Sequence, residues 1–150
     1  MTEDSAAAPA AKVPWWFWLV CVLALLWNGF GAYDFVMSII QGDAYYRAMK
    51  MTDAQIAMMH AYPAWMYAVW FAGTWGAFIG AALLVLRSRW AFHAFVISLL
   101  GFLMSLVYAY HLSGMPETAE GMEAMHAAIF VGCVFFIWFS WFATRKGFLR

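Results

Sequence analysis

Charge is scarce in this chain. Only 11% of its 150 residues are Asp, Glu, Lys or Arg, and acids and bases cancel to a net charge of zero. Without a basic excess there is nothing to attract nucleic acid, and none is expected as a partner. Cysteine is scarce too. Cys21 and Cys133 both lie inside apolar stretches, where a free thiol behaves as a small hydrophobe, not as half of a disulfide or as a ligand. Common catalytic signatures are absent: no H-E-x-x-H zinc helix, no G-x-S-x-G elbow and no phosphate-cradling loop. Gly29-Phe-Gly31 lacks the third glycine and the preceding strand of a dinucleotide site. No Cys sits near a His in sequence. These absences point away from an enzyme.

Apolar residues, by contrast, make up 67% of the chain and aromatics 21%. Soluble domains average about half apolar and about a quarter charged, so the excess calls for another solvent, the lipid bilayer. Four segments reach the roughly 20 apolar residues that a membrane-spanning helix needs: 15–40, 63–86, 90–112 and 125–144. The expected fold is all-α, a four-helix transmembrane bundle with short loops. Residues 1–14, rich in alanine, read as a disordered tail, and 145–150 as a short basic tail. The first apolar run is too long for a signal-peptide core, so it is expected to remain as an anchor.

Lys and Arg set the orientation. Lys12, Arg87, Arg89, Arg145, Lys146 and Arg150 fall at one end of the spans; Arg47 and Lys50 fall at the other, among Asp43, Asp53, Glu117, Glu120 and Glu123. The positive-inside rule then puts both termini in the cytoplasm. Trp15, Trp16, Trp90, Trp138 and Trp141 at one level, and Tyr62, Trp65, Tyr108 and Tyr110 at the other, suit the two interfaces. In the first outer connection, Thr52-Asp-Ala-Gln55 has the capping-box pattern, which predicts a short interfacial helix with Ile56, Met59 and Tyr62 facing the membrane.

Helices in lipid associate by close contact and hydrogen bonds. Gly73, Gly76, Ala77 and Gly80 form a small-residue stripe on the second span; Ala94, Ser98, Gly101, Ser105 and Ala109 form another on the third. The short Arg87-Ser88-Arg89 turn allows the two to meet, with Gly31 of the first span beside them.

The stretch LLWNGFGAYD, the Pro63-Ala-Trp65 start of the second span, the Trp75-Gly76 centre and LLVLRSRWAFHAFVISLLGF resemble a family of small four-helix bacterial inner-membrane proteins. The resemblance covers roughly residues 20–112 and implies four helices in a proteobacterial inner membrane. Members often carry the label "sugar transporter", with no established activity behind it. Members usually have an aliphatic residue or Pro after the Trp-Ala of the third span, where this chain has Phe92 and His93.

The polar groups inside the spans are the candidate site residues. Asp34 and Asn28 share a face of the first helix with Gly31. At 1.5 Å per residue Asp34 lies about 29 Å from Trp15, nearly the full hydrocarbon thickness. That depth predicts a rim carboxylate held by a Tyr, by Arg47 or by loop backbone. Asn28 is expected to bond across to Ser98, Ser105 or Thr74. His60, His111 and His126 cluster at the outer helix ends, where most of the methionines also lie, and Met122 is one turn from His126. Thioether with imidazole suits copper, and paired imidazoles suit haem. The leading expectation is no cofactor and a non-enzymatic accessory or interaction protein, with a membrane-protein partner or a second copy. The alternatives are an oligomeric small-solute or ion transporter using Asp34 and Asn28, and copper or haem binding at the His/Met cluster.

Overall fold

The computed structural model of the protein describes residues 12–114 and 122–150. The tail expected over residues 1–14 lies outside these but for its last three positions, as do Glu117 and Glu120. The described residues form α1 (Trp15–Gln41), α2 (Asp43–Ala48), α3 (Asp53–His60), α4 (Ala64–Val85), α5 (Ala91–Val107), a π-helical turn (Tyr108–Leu112) that extends α5, and α6 (Glu123–Arg145).

Four of these helices, α1, α4, α5 with its π turn, and α6, are long and apolar enough to cross a membrane, with mean hydropathy between 1.6 and 2.0. Their large apolar side chains point outward: Leu26, Ile40, Leu86, Leu100 and Val131 are all exposed. In water this would be untenable, and in lipid it is the expected distribution. The chain is a multi-pass membrane protein.

Helix α1 packs on α4, α4 on α5, and α5 on α6. The circuit closes where Phe17 of α1 stacks on Phe139 of α6 at 5.8 Å. Around that point sits the main core, built from Phe17, Cys21 and Ala24, Ala81 and Leu84, Phe95, and Phe136, Phe139 and Ala143. Large rings are accommodated because the facing positions are alanine, cysteine or glycine. A Cβ on Gly80 would stand 2.9 Å from the Phe95 ring, closer than packed carbon atoms approach.

At this end, hereafter the basic end, the chain after α6 folds back over the α4–α5 turn. Arg89 N donates to Arg150 O at 2.9 Å, Arg150 N to Arg87 O at 2.7 Å, and Arg87 Nε to Phe148 O at 2.8 Å. Phe148 packs edge-on against Trp16 and Phe17, and Leu149 is buried. Arg145 and Lys146 lie over the rings of Trp141 and Phe142.

The opposite end is roofed. Helix α1 stops at Gly42, whose positive φ of 53° reverses the chain, and Gly42 N caps Ser38 O at 3.1 Å. Helices α2 and α3 then lie across the bundle, α3 starting in a complete capping box: Thr52 Oγ1 accepts from Gln55 N, and Thr52 N donates to Gln55 Oε1. The interfacial-helix expectation needs correction in one respect. Ile56 and Met59 do not face lipid; they are buried with Tyr45 and Tyr46 against Met37, Met51, Tyr62 and Trp70. An apolar face gains specific packing by turning onto protein, whereas lipid offers only an equally apolar alternative.

Candidate functional site

Polar chemistry gathers at the roofed end, hereafter the cap end. Asp34 accepts a hydrogen bond from Tyr45 Oη at 3.0 Å. Tyr45 is buried, and burial, together with the Asp34 carboxylate it bonds, pushes its phenol up to about 12. The protonated phenol is the donor of this bond and the Asp34 carboxyl the acceptor. Of the partners expected for this carboxylate, the tyrosine is the one found. Arg47 instead reaches Asp53 at 3.3 Å.

The remaining ties fix the cap to three spans. Tyr46 Oη reaches Ser38 O of α1 at 3.5 Å, Tyr67 Oη of α4 reaches Met59 O at 3.5 Å, and Tyr108 Oη donates to Ala61 O at 3.3 Å. Tyr62 lies among these rings, its phenol pushed up to about 12 chiefly by burial. Tyr108 opens the π turn that extends α5, and within that turn Tyr110 meets His126 Nδ1 at 3.1 Å.

Beneath α3, between it and α5 and α6, is a cavity of about 120 Å³. Its wall includes Met51, Met58 and Met59 from the cap segment, Met122 and His126 at the start of α6, and Gln55 and Ser105. A second concavity, of about 360 Å³, is an open groove between α5 and α6 lined only by apolar side chains such as Phe92, Leu99 and Trp138. Among the described residues it carries no titratable or metal-ligating side chain.

The other anticipated residues are placed as follows. Met122 and His126 share the cavity; His60 and His111 do not line it. His60 Nε2 instead contacts Asp43 Oδ1 at 2.7 Å on the exposed surface, and His111 is exposed on the π turn. Among the described residues no three His, Cys, Asp or Glu side chains converge on one point. A haem does not fit in about 120 Å³, since pockets for organic ligands run to about 300 Å³ and above.

Asn28 corrects another expectation. It is buried, but its Nδ2 donates to Ala24 O of its own helix at 2.8 Å. Thr74 and Ser105 likewise bond back to Trp70 O and Gly101 O. Between α4 and α5 a polar bond is made by Ser98, whose Oγ donates to Gly73 O at 2.6 Å. There α4 and α5 touch backbone to backbone: a Cβ on Gly101 would stand 2.7 Å from Gly73 N, and one on Gly76 3.4 Å from Ala94 O. A Cβ on Gly31 would stand 4.0 Å from the Thr74 methyl, ordinary contact.

Tyr45 is the site residue that sequence reasoning did not name; Tyr110 was expected only as an interface aromatic, and the cap methionines only as part of the outer group of methionines. The one available signal was the excess of methionine in the cap segment. No protein-family model matches the chain, and neither a curated protein nor a solved structure matches it.

Proposed function

We propose that the protein is a non-enzymatic accessory protein of a bacterial inner membrane, acting by contact with a neighbouring membrane protein or a second copy of itself. The α4–α5 seam carries this reading. Where Gly101 abuts Gly73 the two backbones leave no room for a solute to pass between them. The acid a carrier would use, Asp34, is engaged by Tyr45 at the cap, and Asn28 by its own helix. The basic end, holding Arg87, Arg89, Arg145, Lys146 and Arg150, belongs on the cytoplasmic side by the positive-inside rule, which puts the cap in the periplasm. The likeness of residues 20–112 to small four-helix inner-membrane proteins supports the same setting.

Two measurements test the reading. A photo-reactive residue placed in native membranes at lipid-facing Leu26, Ile97 or Val131 should give a discrete adduct from one face and none from the others. In a strain whose phenotype depends on the protein, Asp34→Asn that inserts at the normal level should keep function. Loss of function with normal insertion would overturn the accessory reading in favour of transport.

A further inference from the structure

The cavity beneath α3 has a lining that the accessory reading does not use. Its volume, about 120 Å³, is far below that of pockets that hold organic ligands, yet larger than the roughly 30 Å³ share of one water molecule. What fits is an ion or a very small molecule. Among the described residues no carboxylate lines the cavity, so a hard cation such as Mg²⁺ or Ca²⁺ would find only the neutral oxygens of Gln55, Tyr62 and Ser105. The wall offers thioethers: Met51 just before α3, Met58 and Met59 within it, and Met122 at the start of α6. These sulfurs come from separate segments folded together, and His126 adds an imidazole one turn beyond Met122.

From this lining we infer a binding site for a soft monovalent cation, copper(I), held by thioethers of the cap and Met122 with the imidazole of His126. Thioether and imidazole without carboxylate is the donor set that favours copper(I) over zinc or magnesium. Tyr110 supports the assignment. Its Oη meets His126 Nδ1 at 3.1 Å and orients the ring; in the tautomer with the proton on Nδ1, Nε2 is the lone pair open to a metal, the arrangement usual for a metal-bound histidine. Methionine also serves as a flexible filler of irregular cores, but a filler closes space, and here four methionines surround space left open. The inference stands apart from the accessory reading, because metal binding is measured on the purified protein alone.

The test uses the full chain in detergent under anaerobic conditions, with copper(I) supplied as its bicinchoninate complex and silver(I) as a redox-inert counterpart. The wild-type protein should withdraw one copper(I) per chain from the chelator. Met122→Leu, which keeps volume and the Tyr110–His126 bond, should weaken binding at least tenfold, and His126→Ala further. Met104→Leu and Met125→Leu, at exposed positions, should bind as wild type. X-ray absorption of the loaded protein should show sulfur and nitrogen scatterers together. Failure of the wild type to compete with bicinchoninate overturns the site, and so does equal binding by well-folded Met122→Leu. Disruption of the fold by His126→Ala leaves Met122→Leu to decide. Loss of copper binding leaves the accessory reading intact, since that reading is judged by crosslinking and by Asp34→Asn.

Discussion

Ser98 and Gly73 hold the two central spans together: the serine hydroxyl donates across the helix interface to the glycine carbonyl at 2.6 Å. The short distance is possible only because Gly101, one turn beyond Ser98, brings no side chain into the contact. Bond and glycine are therefore one device, and their substitution should have unequal effects. Ser98→Ala should cost about 0.6 kcal/mol, up to about 1.7, as interhelical bonds in membranes do. Gly101→Val should cost more, on the order of 1–3 kcal/mol, because its side chain must push backbone apart. Denaturation of both variants in mixed micelles checks the order; a Gly101→Val protein as stable as wild type would refute the backbone contact.

Tyr45→Phe should loosen the cap without unfolding the spans. It removes the donor to Asp34 and leaves a half-buried carboxylate unsatisfied, a change worth about 1–3 kcal/mol. Hydrogen exchange should rise in α2 and α3 while α4 and α5 stay protected.

The same phenol gives a pH dependence of known sign. Its folded value, about 12, lies above the value of about 10 for a free tyrosine. The group's contribution is fully present below pH 10 and is lost as pH rises from 10 through 12. Near neutrality that contribution is constant, so stability there should not vary with pH through this group. Tyrosinate absorbance should show a late-titrating component that shrinks in Tyr45→Phe; an identical titration in both proteins would contradict the buried bond.

Arg87 is held at a φ of +57°, a left-handed conformation that non-glycine residues adopt at a cost. Arg87→Ala and Arg87→Gly both lose the guanidinium bond to Phe148 O, but only glycine relieves the backbone. Both should release the segment 147–150 to proteolysis, and the glycine variant should be the more stable by about 1 kcal/mol. Thermal shift in detergent compares them; equal stabilities would mean that the strain is absent.

Single cysteines should report the orientation. Ala57→Cys at the cap end should react with an impermeant maleimide in intact cells, and Arg145→Cys only after lysis; both positions are exposed. Cys21 is buried and Cys133 partly so, which keeps the background low. The reverse pattern would invert the topology argued from the basic residues.

The spans were legible in the sequence because the bilayer enforces a simple rule of length and charge. The start of α3 was legible because a capping box is local, with both its partners three residues apart. What escaped is non-local or degenerate. Tyr45 meets Asp34 across the reversal at Gly42, and nothing in the residues between them specifies that geometry. Asn28 had two satisfactory partners, its own helix or a neighbour, and periodicity cannot choose between them. The apolar face of α3 could have turned to lipid or to protein. The π turn, which carries Tyr110, leaves no trace in a 3.6-residue pattern. The methionine cavity draws on several segments with no fixed spacing, so only the folded chain brings them together.

The cap is tethered at both ends, by Gly42 to α1 and by Pro63 to α4. A segment so tethered cannot diffuse away when its contacts break. It remains near its seat at an effective concentration on the order of millimolar, and redocking is intramolecular. Severing any one tie should therefore shift the fraction of time the cap is closed, not abolish closure. Anything that reaches the cavity beneath α3 from the cap side would then do so through brief, reversible openings of a hinged roof whose frequency each tyrosine bond adjusts in part.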